Sequence, residues 1–219
     1  RCSRDWSSDV CSSDLLVLSG AAQAGIANGD FSQGTQDWTV LGLAGTSGGV
    51  AQLSNADGAL DVGELAGQLG LASAEAFDTA AAQAYEGSAL MQQFSSAAGE
   101  QLSFQWSFSS DETSGEASFA DYAFVVLDGQ LHRLGGVGDA AGWQSASFSL
   151  TAGQHSVAFG VLDLGDYGVD SALSLASVSV SAVPEPAPLP LALAGLGALW
   201  WLRRRSRSEE HTLNSSHGY

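Results

Sequence analysis

Along the second half of the chain, apolar and polar positions alternate in short runs separated by Gly, Asp and Ser. Leu102, Phe104, Trp106 and Phe108 alternate with Ser103, Gln105 and Ser107, the period-two pattern of a strand with one buried face. Residues 120–127 form a more continuous β-rich run that ends at Asp128-Gly129, a strong local signal for a hairpin. Residues 143–150, 155–162 and 172–180 read as three further strands with Gly-containing turns between them, and residues 89–94 as another. Several short strands at this spacing predict an antiparallel sandwich or barrel.

The first half is less regular. Asn28-Gly29-Asp30-Phe31, then Gly34 and Asp37-Trp38-Thr39-Val40, read as a first strand, a turn and an aromatic that closes over the core. From residue 42 to 84 Gly and Ala dominate with weak periodicity, which predicts short strands or loops and a helical turn around residues 72–84. The expected fold is all-β: a single antiparallel β-sandwich of jelly-roll or galactose-binding-like type over residues 25–182. Phe104, Trp106, Phe124, Phe148 and Phe159 are its expected core.

The two ends do not read as protein design. Residues 5–15 and 207–217 back-translate to the two strands of one oligonucleotide, allowing a single dropped base, and that oligonucleotide resembles a short-read sequencing adapter. Residues 1–15 and 207–219 are therefore expected to be adapter-derived and to pack against nothing, and fold reasoning excludes them. Cys2, Cys11, His211 and His217 fall in these ends, so no disulfide or metal site is built on them. Residues 16–24 resemble the end of a signal peptide: an apolar stretch, then Ala22-Gln23-Ala24 as a small-x-small cleavage site for signal peptidase.

All four prolines, Pro184, Pro186, Pro188 and Pro190, follow the last strand, and their fixed φ makes a stiff extended linker. An apolar stretch ends at Leu202 before Arg203-Arg204-Arg205. From Ala187 to Leu202 it has 16 residues, somewhat short of the ~20 that usually span a bilayer. Flanking arginines snorkel and favour the cytoplasmic side, so a transmembrane helix is expected here.

Charge narrows the partners. The full chain carries 24 acids and 7 bases, and no lysine. Between residues 25 and 182 Arg133 is the one base against 18 acids. Nucleic acid is excluded as a partner, because binding a phosphate backbone relies on Lys and Arg.

Val183-Pro184-Glu185-Pro186, a short apolar helix with Gly195 and Gly197, and the terminal arginine cluster together resemble the PEP-CTERM sorting signal, here residues 183–206. The resemblance implies recognition by exosortase, a membrane-embedded transpeptidase of Gram-negative bacteria that make exopolysaccharide. It implies Pro184, Glu185 and Pro186 as the recognition motif and Arg203, Arg204 and Arg205 as the stop-transfer cluster. The inner membrane would hold the precursor, and the cell surface or exopolysaccharide matrix would receive the product. Gly99-Glu100-Gln101-Leu102-Ser103-Phe104-Gln105-Trp106, Asp121-Tyr122-Ala123-Phe124-Val125 and Val169-Asp170-Ser171-Ala172-Leu173 are similar to passengers carried by such tails.

Candidate chemistry is sparse. Asp163, Asp166 and Asp170 gather around one predicted loop, and Asp111, Glu112, Glu116 and Asp121 around another. Calcium takes several hard oxygen ligands at flexible spacing, so the first group is a candidate calcium site, although Asp also serves as a turn former. His132 and His155 are isolated and read as surface residues, and no carboxylate pair stands out for glycoside hydrolysis. A non-catalytic protein of the cell surface or matrix is expected, with a carbohydrate-binding module as the alternative and a glycan-acting hydrolase third. Trp38, Trp106 and Trp143 are the candidate sugar platforms, against the commoner role of strand aromatics as core.

Overall fold

The computed structural model describes residues 23–112, 117–183 and 199. Twelve strands and one short helix follow in the order β1 (Gln23–Ala24), β2 (Thr39–Leu41), β3 (Leu43–Ser47), β4 (Val50–Ser54), β5 (Leu60–Asp61), α1 (Val62–Gln68), β6 (Ala84–Ser96), β7 (Glu100–Ser110), β8 (Tyr122–Leu127), β9 (Gln130–Gly136), β10 (Gln144–Ser149), β11 (Gly153–Leu164) and β12 (Ser171–Ala182). They form two facing sheets. One runs β1-β6-β11-β8-β9, with β2 and β5 also paired to β6, and the other runs β10-β7-β12-β4-β3. Every pairing is antiparallel except the short β1 on β6. The expected all-β sandwich is therefore present. The apolar tail segment and both expected adapter ends lie outside the described residues, and no described helix is long and apolar enough to cross a membrane.

The sheets differ in how they are buried, and the difference explains the two kinds of pattern in the sequence. The seven-stranded sheet is covered on both faces. Its inner face joins the five-stranded sheet through Leu90, Phe94, Val125, Val157, Phe159 and Val161 against Leu102, Phe104, Trp106, Leu173 and Leu175. Its other face packs Phe124, Val126, Ala158 and Leu162 under Leu65, Leu69 and Phe77 of α1 and the 3-10 turn Ala74–Phe77. A strand buried on both sides has no polar face, hence the unbroken apolar run of β8. The five-stranded sheet is covered on one face only, so β7 and β12 alternate.

Phe104, Trp106, Phe124 and Phe159 are buried as expected, but Phe148 is only partly so, because β10 is an edge strand with nothing beyond it. The helix arrives earlier than the composition suggested. Asp61 caps it by accepting from the Gly63 N–H at 2.8 Å, and Val62, Leu65 and Ala66 supply its buried stripe. Within residues 72–84 only the 3-10 turn is helical. Asp128 (φ 51°) and Gly129 (φ 75°) form the expected tight turn between β8 and β9, both left-handed as a type I′ hairpin demands.

Trp38 does close over the core: its ring meets Phe31 at 5.5 Å and Phe159 at 6.1 Å, and its indole N–H donates to the Asn28 carbonyl at 3.2 Å. Chain crossover between the sheets occurs at Gly42 (φ 76°), which joins β2 on one sheet to β3 on the other. There the Ser88 hydroxyl accepts the Leu43 N–H at 2.8 Å.

Gly160 sits at the centre of β11, where an added Cβ would overlap the Phe124 ring and lie 2.6 Å from the Ser88 carbonyl. Gly160→Ala should destabilise the protein by about 1–3 kcal/mol, the usual cost of overpacking. Gly45→Ala, on β3 with nothing within 4 Å of the new carbon, should stay within about 0.5 kcal/mol. Urea unfolding of both variants reads the contrast, and equal midpoints would contradict this packing.

Candidate functional site

The five-stranded sheet has one face packed in the core and the other open among the described elements. Cross-strand partners share a face, so the register assigns it. Ser145, Ser147 and Ser149 of β10 lie opposite Gln105, Ser103 and Gln101 of β7, and these lie opposite Ala176, Ser179 and Ser181 of β12. Further along, Ser107 and Ser109 pair with Ser174 and Ala172, which pair with Gln52 and Ser54 of β4. Val50, Gln52 and Ser54 in turn face Ser47, Gly45 and Leu43 of β3. None of these positions is charged, in a chain with a net charge of −17.

Small side chains leave this face indented. One shallow groove of about 450 Å³ runs over β10 and β7 between Gln101, Ser103, Gln105, Ser145 and Ser147, bounded by Ser177. A second, of about 560 Å³, runs over β12, β4 and β3 beside Gln52, Ser54, Ser109 and Ser174. Ser177 has φ 55° and marks a bulge in β12, which twists the strand locally. Trp143 precedes β10 in the same alternation as Ser145 and is 53% exposed. Of the three candidate sugar platforms, Trp143 alone is open, whereas Trp38 and Trp106 are buried in the core.

Acidic residues collect at one end of the sandwich. Asp163 of β11 is paired with Glu86 of β6. On its other side Tyr122 pairs with Leu162, so Asp121 continues the antiparallel register opposite Asp163. Glu86, Asp163 and Asp121 thus form a row across three adjacent strands, in step with the inward-facing Val161 and Ala123. Asp121 is 0% exposed and accepts from Asn55 Nδ2 at 2.7 Å and the Leu164 N–H at 2.8 Å. Burial raises its pKa, and these bonds, with the nearby Ser171 hydroxyl, partly offset the rise.

Asp163 is 3% exposed, and no donor among the described residues hydrogen-bonds its carboxylate. Burial, then the neighbouring Asp121, Asp166, Glu86 and Glu112, push its pKa from 3.8 up to about 8. Asn55 ties this row to the facing sheet: its Oδ1 accepts the Ser171 N–H at 2.6 Å, and the Ser171 carbonyl accepts the Asn55 N–H at 3.2 Å.

The expected calcium triad is not assembled. Among the described residues no three His, Cys, Asp or Glu side chains converge closely enough to hold a metal ion. Asp166 instead accepts the Gly168 N–H at 2.7 Å as a turn residue, while Asp163 turns into the sandwich and Asp170 is exposed. His155 is not a surface residue either. It is buried, with Nδ1 2.7 Å from Asp128 Oδ2 and Nε2 2.9 Å from the Thr151 carbonyl. Burial lowers its pKa, but these two contacts outweigh burial and leave it raised. His132 lies on β9 with its ring 5.0 Å from that of Phe148. Pro184, Glu185, Pro186, Arg203, Arg204, Arg205 and Ala22 lie outside the described residues, and Ala24 is in β1.

No protein-family model matches the chain. No curated protein matches it either. Among solved structures it is similar to TmCBM61 in complex with β-1,4-galactotriose, at 13% identity and a TM-score of 0.38, over 72% of this chain and 97% of that one. A CBM4 structure is similar at 11% identity and a TM-score of 0.39, over 70% and 99%. A cleaved adhesin domain of Lys-gingipain from Porphyromonas gingivalis is similar at 13% identity and a TM-score of 0.41, over 73% and 100%.

Asp163 makes stability depend on pH. Its folded pKa near 8 lies above the ordinary 3.8, so between these values the folded state binds more protons than the unfolded one. Stability contributed by this group therefore falls as pH rises from about 4 to about 8. Urea midpoints should decline across that window, and Asp163→Asn, which keeps the neutral shape, should flatten the decline. A variant with the same slope as the parent would show that Asp163 is ionised in the fold.

Proposed function

We propose that the sandwich is a non-catalytic module that holds a neutral polysaccharide against the open face of its five-stranded sheet. The observation that carries this reading is the absence of charge across that face in a strongly acidic protein. Serine hydroxyls and glutamine amides supply donors and acceptors in both senses, which suits a polymer of hydroxyl groups. Trp143 offers one aromatic surface at the edge for a sugar ring. Each exposed hydrogen bond contributes only about 0.5–1.5 kcal/mol net, so binding depends on several sugars lying along the grooves together. Polyanionic glycans are disfavoured by the protein's overall charge.

Affinity electrophoresis of the protein through gels containing a β-glucan, a mannan, a galactan or a polyuronate tests the proposal. At least one neutral polymer should retard it, and Trp143→Ala and Gln105→Ala should each weaken retardation roughly threefold to thirtyfold, the effect of about 0.7–2 kcal/mol. Retardation by the polyuronate alone, or by none of the polymers, would refute it.

A second reading rests on a separate observation, the Pro-Glu-Pro, apolar and arginine segments in order after the sandwich. We propose that this tail is a sorting signal: the precursor passes the inner membrane, is retained by the apolar segment and is handed to exosortase for delivery to the cell surface or exopolysaccharide matrix. Replacing Pro184, Glu185 and Pro186 with alanine should leave the precursor in the inner membrane of an exosortase-containing host, as read by fractionation. Unimpaired surface delivery would dispose of this reading and leave the sugar-binding one standing.

A further inference from the structure

At the acidic end, three observations converge on one point between the sheets. Asp121 directly precedes Tyr122, the partner of Leu162 on β11, and so stands next to Asp163, a placement that is destabilising for like charges. Asp163 is buried and has no hydrogen-bond donor among the described residues. From the facing sheet comes Ser171, 1% exposed, whose hydroxyl has no aligned hydrogen-bond partner yet lies near enough to Asp121 to favour its charged form. A buried hydroxyl left without a partner is costly, and a buried carboxylate more so.

The groups facing this point are uniformly unable to neutralise it. Glu86 flanks Asp163 on β6, Glu112 follows β7, and Asp166 lies in the loop after β11. Arg133, the nearest base on β9, is placed over the Tyr122 ring, 5.2 Å from its centroid, and pairs with Asp139 at 3.4 Å. Asn55 is committed to Asp121 and to the Ser171 N–H. The unmet groups are all oxygen, the Asp163 carboxylate and the Ser171 hydroxyl, beside an Asp121 carboxylate already held by Asn55 and the Leu164 N–H.

We propose that Asp121, Asp163 and the Ser171 hydroxyl form an inter-sheet site for one hard divalent cation of the calcium type, with carbonyl groups and water completing its shell. This differs from a site on the β11–β12 loop, because Asp166 and Asp170 are not ligands in it. Calcium is favoured over magnesium since it accepts irregular, partly protein-built oxygen shells, whereas magnesium demands near-ideal geometry. By joining β8 and β11 of one sheet to the start of β12 on the other, the ion would fasten the sandwich at this end.

Isothermal titration of the full chain with calcium chloride, at pH 6 and pH 8.5, tests the site. One ion per chain is expected, bound more tightly at the higher pH because carboxylate ligands must be ionised. The melting temperature should rise by about 5 °C in saturating calcium. Asp163→Asn should abolish both effects while keeping the circular dichroism of the parent. Ser171→Ala, which changes no charge, should weaken binding at least threefold, and Asp166→Asn should leave it within about twofold. No titration heat and no melting shift in millimolar calcium at pH 8.5 would overturn the proposal. So would binding that survives Asp163→Asn and Ser171→Ala unchanged, or that is lost in Asp166→Asn alone.

Discussion

Everything in this molecule depends on β11 being buried on both faces. Its odd-numbered side chains, Val157, Phe159 and Val161, fill the space between the sheets, and its even-numbered ones, Ala158, Leu162 and Leu164, lie beneath α1 and the 3-10 turn. From Val157 to Leu162 the strand has no solvent-facing side on which to place a polar group. Gly160 is the point where the demand is greatest, because the Phe124 ring fills the room a side chain would take. Once β11 is fixed, β6 and β8 are fixed beside it, and the second sheet has one hydrophobic surface on which to settle.

That asymmetry separates the molecule's surfaces by chemistry. The seven-stranded sheet spends both faces on packing, so the five-stranded sheet retains the one broad open face, and it is neutral. The acids are displaced to loops and strand ends, where Asp57, Glu86, Asp111, Glu112, Asp121, Asp163, Asp166 and Asp170 gather near the start of β12. Two of them, Asp121 and Asp163, are inside the sandwich, and there burial raises the pKa of each.

Strand identity was legible in the sequence wherever one face was exposed, because a polar residue every second position marks β7 and β12 directly. β6 was recognised only in part. Its 13 residues include Gly87 and Ser88 on stretches that local composition assigns to loops, and their burial is decided by β11, which lies some seventy residues away in the chain. The open Ser/Gln face was visible as the polar half of that alternation, but not that five strands would join it into one surface. The row of Glu86, Asp163 and Asp121 could not be read from spacing at all. Its members come from three strands, and only the register places them side by side. Sequence proximity instead grouped Asp163 with Asp166 and Asp170, which point elsewhere. Among the aromatics, Trp38 and Trp106 followed the alternation into the core, and Trp143 stayed out because it precedes an edge strand.

The position of Val183 has a mechanical consequence. β12 begins at the acidic end and runs the full length of its sheet to Val183, whose N–H donates to the Gly99 carbonyl at 3.1 Å beside the β6–β7 turn. Tension applied through Val183, against a polymer gripping the sheet face, would act along the axis of β12. The ladder from Ser171–Ser110 to Ala182–Glu100 would then be loaded in shear, all rungs together, instead of being peeled one rung at a time. A ladder loaded in shear must break its hydrogen bonds together, so resistance along this axis would exceed that of the same ladder peeled from one end.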